Sequence, residues 1–169
     1  RGPGDPTHRQ VGDMYLRATR TPAGPSLIKI VPHGADVAAR AWGAGAEWSL
    51  DQLPRLLGAA DDPRGFRPGL EHPPLVAACQ RYGHYRIGRS EAVFEALAPA
   101  CIEQVVTGKE AFRAWRLLVR EFGEPAPGPA LEPGSAAYGM YLPPEPQAWA
   151  KVPTYWTAQI AGAFVGAAL

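Results

Sequence analysis

The chain has 169 residues, 46% of them apolar and 20% charged, with a net charge of +1. That balance suits one globular domain or two small ones and argues against a disordered chain. It also excludes a global basic field, so any nucleic-acid contact must come from local clusters. The apolar tail 160–169 is shorter than the roughly 20 residues needed to span a bilayer, so no membrane partner is expected. Cys79 and Cys101 lack metal-like spacing and read as a pair of buried reduced thiols, which suits a cytoplasmic protein.

Residues 1–10 are polar and rich in Gly and Pro, the composition of a loose segment. Met14 to Arg20 alternates as a strand does, and Thr21 to Pro25 supplies turn chemistry. Ser26 to Val31 is a second strand rich in β-branched residues. Pro32 to Asp36 turns again before a third at Val37 to Gly43. Three short strands at this spacing predict an antiparallel meander. Leu50, Leu53, Leu56 and Leu57 then form a helical stripe able to cover one face of it. The run from Asp61 to Gly69 breaks both periods and marks a boundary. The expected fold class is therefore α+β, with an N-terminal α+β domain at 1–66 and an incomplete all-α domain at 67–169.

The second unit opens with a helical pattern, Leu75 to Tyr82, ending at Gly83. Val93, Phe94, Leu97, Cys101, Ile102 and Val105 recur at three- and four-residue spacing, as one apolar helix face does. Phe112, Trp115, Leu118, Val119 and Phe122 repeat the pattern. Between them, Thr107 followed by Glu110 is a capping box, and Gly123 with Pro125 stops the second helix. Residues 124–144 read as a long Pro/Gly-rich loop, expected to be mobile or functional. Residues 146–152 read as a short helix carrying Trp149, and 153–169 begin another. The chain starts on Arg1 and ends on an apolar helical pattern with no stop signal, so a fragment is expected.

The corner Glu103-Gln104-Val105-Val106-Thr107-Gly108 resembles that of helix-hairpin-helix DNA glycosylases, the DNA-3-methyladenine glycosylase II type in particular. The likeness continues through Tyr85 to Arg89 upstream, and through Phe122 to Glu124 and Pro143 to Pro146 downstream. It implies an N-terminal antiparallel sheet followed by a helical catalytic part, and a hydrolase of N-glycosyl bonds. Such an enzyme works in base excision repair by flipping an alkylated base out of double-stranded DNA, as a monomer, with no cofactor and no metal. Flipping costs a few kcal/mol of unpairing and unstacking, offset by a side chain pushed into the gap. The resemblance gives that wedge role to Val105, with Gln104 beside it facing the orphaned strand. Val105 and Val106 equally fit the end of a buried helix face. Thr107 and Lys109 stand where helix amides point outward, and Arg113, Arg116 and Arg120 share one face able to neutralise phosphates. A solvated outer helix face accounts for the same residues.

In the family an aspartate stabilises the cationic sugar, and it follows a hairpin of the type Leu-Pro-Gly-Ile-Gly. No Asp follows Asp62 in this chain, and no such hairpin is present. No catalytic residue is therefore assigned, and the chain alone is expected to be inactive. Glu103, Glu110 and Glu121 fit capping or solvated faces better. Tyr155 to Ile160 resembles the family's continuation after its hairpin, which makes Trp156 either a base-pocket residue or a core aromatic. The alternatives are a non-catalytic DNA-binding or interaction module, or a nonfunctional truncated product.

Overall fold

The computed structural model describes residues 4–66, 68–69, 71–104 and 106–151. Four strands, β1 (His8–Val11), β2 (Met14–Thr21), β3 (Gly24–His33) and β4 (Asp36–Trp42), form an antiparallel meander in that order. Four helices follow: α1 (Ala46–Leu56), α2 (Pro73–Tyr82), α3 (Val93–Glu103) and α4 (Gly108–Phe122). Two short strands, β5 (Glu124–Pro125) and β6 (Tyr141–Leu142), pair with each other. The fold is α+β.

The first strand departs from the sequence expectation. His8 to Val11 is part of the sheet, not a loose segment, with His8 opposite Arg17 and Val11 opposite Met14. Gly12, at φ +57°, makes the two-residue turn that a tight hairpin needs. The register of the next pair sets Leu16 opposite Lys29 and Ala18 opposite Leu27, so each face of the sheet has its own set of side chains.

On one face, Leu53 and Leu56 of α1 pack on Ile28, Ile30, Ala39 and Ala41. The hydroxyls of Ser49 and Ser26 add a hydrogen bond of 2.7 Å beneath them. Leu50 and Leu57, the other half of the predicted stripe, remain exposed. On the opposite face, Leu16, Ala18 and Leu27 meet Ala126, Ala130, Ala137, Met140 and Leu142. The Pro/Gly-rich stretch is thus a strap that builds half of the core. It is tied by the Tyr141 amide donating to the Pro6 carbonyl at 2.9 Å and by Arg9 Nη1 donating to the carbonyls of Ala136 and Tyr138. Gly128, at φ +66°, lets the strap approach the Trp42 ring where a Cβ would collide with it.

α3 is turned against its predicted face. Its buried residues are Glu95 and Pro99, whereas Val93, Leu97 and Cys101 are exposed. Glu95 explains the orientation. Its carboxylate accepts from Thr19 Oγ1 at 2.8 Å and from the Arg20 amide at 2.7 Å, and faces Arg17 Nη2 at 3.4 Å. A buried carboxylate must be paired this way or neutralised, so the polar anchor overrides the apolar period. The thiols also differ from the expected burial. Cys101 lies on the outward face, and Cys79 of α2 is only half-buried.

Candidate nucleic-acid interface

α4 is positioned by one apolar face and leaves the other to solvent. Ala111, Trp115, Leu118 and Val119 are buried. Trp115 is fixed further, because its Nε1 donates to Asp5 Oδ1 at 3.2 Å. The same oxygen accepts from the Thr7 amide and hydroxyl, each at 2.8 Å, while His8 Nδ1 lies 3.7 Å from the other. Burial alone would raise the Asp5 pKa, but the His8 imidazole and the two Thr7 donors reverse that and hold it at about 2. An ionised carboxylate, buried at the start of the chain, thereby pins a helix more than a hundred residues later.

The corner between α3 and α4 has the local geometry its sequence predicts. Gln104 caps α3, its amide donating to the Cys101 carbonyl at 3.3 Å, and its side chain is exposed. Thr107 is the N-cap of α4, and the Glu110 carboxylate accepts from its amide at 3.1 Å and its hydroxyl at 2.7 Å. These bonds favour the ionised form and lower the Glu110 pKa, the Thr107 hydroxyl first and its amide second. Val105 lies outside the described residues, as does Trp156.

Lys109, Arg113, Arg116 and Arg120 fall within about 60° of arc on α4, at 100° per residue. Lys109, Arg113 and Arg120 are exposed, while the stem of half-buried Arg116 passes Gly4. Among the described residues none of the four is in an ion pair. By contrast Arg20 is matched to Glu124 at 3.3 Å and Glu145 at 3.0 Å, and Arg17 to Glu95. Arg55 and Arg64 also have acidic partners, whereas this stripe has none among the described residues, and a basic helix face of this kind can meet phosphates. Arg86 is engaged locally, its Nη1 donating to the Gly83 and Tyr85 carbonyls, and the backbone of Arg89 is bonded to Arg55 and Gln52.

Among solved structures similar to this chain is the 3-methyladenine DNA-glycosylase from Archaeoglobus fulgidus. The match has a TM-score of 0.62 at 22% identity and covers 86% of this chain and 50% of that one. The chain shares the fold of part of that glycosylase. The chain spans half the length of the glycosylase it matches. No family model matches the sequence, and no curated protein is similar to it.

Two features of the chain escaped sequence reasoning, the Asp5 and Glu95 anchors. Both depend on partners far away in sequence, and only the Thr7 bonds to Asp5 carry a local signal, since a side chain bonding the amide two residues on is an Asx motif. Among the described residues no three His, Cys, Asp or Glu side chains gather as metal ligands would, and no helix is long and apolar enough to cross a membrane.

Proposed function

We propose that this chain is the DNA-engaging part of a glycosylase of the 3-methyladenine II type, in the helix-hairpin-helix superfamily, acting on double-stranded DNA with alkylated bases. The observation that carries the reading is the basic stripe of α4, without an ion-pair partner among the described residues, beside a capped corner in a fold shared with part of a DNA glycosylase. Lys109, Arg113 and Arg120 meet the phosphates, with Thr107 presenting the first amides of the helix. Gln104 and Val105 face the gap left by the flipped nucleotide. In this reading residues 1–66 are one domain, which braces the corner, and 67–169 belong to the helical unit that holds the duplex. No carboxylate of the chain is assigned to hydrolysis, so the chain alone releases no base.

A second reading, a non-catalytic binding module, is favoured by one observation. Among the described residues the buried carboxylates Asp5 and Glu95 are engaged by structural donors, and neither is assigned to water activation. The two readings share a binding test and differ in a catalytic one. Arg113→Ala is expected to weaken binding to intact and abasic duplex alike, and to reduce the slope of log affinity against log salt by about 1. Val105→Gly is expected to weaken only the abasic duplex. Unchanged affinity and salt slope for Arg113→Ala would refute the interface. Base release from methylated duplex above the buffer rate would refute inactivity of the chain alone.

A further inference from the structure

The sheet carries a basic row of its own, separate from the stripe of α4. Arg9 of β1 stands opposite Leu16 of β2, Leu16 opposite Lys29 of β3, and Lys29 opposite Arg40 of β4. The four therefore share the face that the strap covers. Arg9 holds the strap through the carbonyls of Ala136 and Tyr138. Lys29 and Arg40 form no ion pair among the described residues. Like charges directly opposite each other in an antiparallel pair are destabilising, and no acidic group among the described residues offsets this one.

A cleft of about 390 Å³ opens between this pair and the strap, and its polar lining is Lys29, Arg40, Glu132 and Ser135 beside the Trp42 ring. The Arg40 guanidinium is held over that ring, 5.2 Å from its centroid, and Lys29 is half-buried. The Ser135 hydroxyl already donates to the Pro129 carbonyl. The charges of Lys29, Arg40 and Glu132 sum to +1, which suits a monoanion better than a dianion. A phosphodiester is such an anion, and its two non-bridging oxygens can accept from an ammonium and a guanidinium together. We propose that the cleft at Lys29 and Arg40 is a phosphodiester site, which holds a DNA backbone on the sheet. DNA as the polymer rests on the proposed function, whereas the cleft itself is built by β3, β4 and the strap.

The test is binding of a short DNA duplex over a salt series. Lys29→Gln combined with Arg40→Gln should reduce the slope of log affinity against log salt by about 1, the loss of one phosphate contact. Adding Arg113→Ala should reduce it by about 1 more, because the two sites are independent. An unchanged slope in the paired variant overturns the cleft and leaves the role of α4 standing. If Arg113→Ala alone changes nothing while the paired variant lowers the slope, α4 is refuted and the cleft is supported. Absence of any duplex binding by the wild-type chain overturns both. The urea midpoint of Lys29→Gln should equal or exceed that of wild type, since a like-charge pair is relieved. A lower midpoint would make Lys29 a structural residue and overturn the site. Should the paired variant fail to fold, Lys29→Gln alone decides: its affinity should fall several-fold at low salt, and an unchanged affinity sinks the proposal.

Discussion

Asp5 and Glu95 show how two carboxylates fix the placement of two helices. Asp5 sits at about 2 in the folded chain against an ordinary 3.8. A carboxyl depressed by folding adds stability that is complete above the unfolded value and is lost as pH falls through the folded one. Asp5 thus contributes about 2 kcal/mol above roughly pH 4, all of which is gone below about pH 2. Urea midpoints for Asp5→Asn should be lower than wild type at neutral pH and converge with it in acid. A constant gap down to acid pH would contradict the assignment. Glu95 is an ion-pair partner as well. Removing it leaves Arg17, whose Nε already has no hydrogen-bond partner, as a buried and uncompensated charge. Glu95→Ala should cost about 3–5 kcal/mol in equilibrium unfolding, and Glu95→Gln less, because the amide oxygen still accepts from Thr19 and the Arg20 amide. Neither helix anchorage was legible in the sequence, since Glu95 meets the Arg20 amide 75 residues away and Asp5 meets Trp115 110 residues away; only the Asp5–Thr7 bonds are local.

Among the elements, those with a local code were readable and those without were not. Strands β2 to β4 show alternation, and the capping box places a donor and an acceptor three residues apart. Thr107→Ala should cost about 1 kcal/mol by thermal melting, with the loss confined to α4 amides in hydrogen exchange. A melt unchanged from wild type would argue that the corner is held from elsewhere. His-Arg-Gln-Val of β1 carries no apolar alternation and becomes a strand only by pairing with β2. In α3 the apolar period was real, but Glu95 outweighed it, because leaving a carboxylate unpaired in the interior costs more than exposing Val93 and Leu97. The basic stripe of α4 was legible from spacing; that its members lack ion-pair partners among the described residues required the structure.

For the whole molecule, the sheet is covered by α1 on one face and by residues 126–142 on the other. The strap escaped prediction because its buried residues are mainly alanines without period, embedded among Pro and Gly. Met140 is fully buried in that layer, so Met140→Ala should cost about 2–5 kcal/mol. The loss should reach the amides of β2 and β3 as well as the strap. Protection changes restricted to residues 126–142 would show instead that the strap opens independently of the sheet.

That arrangement has a consequence for synthesis. The four strands can pair as soon as they leave the ribosome, since each hairpin is local. Their second apolar face is completed by residues about 100 positions later, which at 5–20 residues per second leaves it bare for roughly 5–20 s. A nascent chain halted before Ala126 would display Leu16, Ala18 and Leu27 to its surroundings, as a substrate for holding chaperones and a seed for aggregation. Slowing translation across residues 43–125 would lengthen that window without altering a single contact of the finished fold.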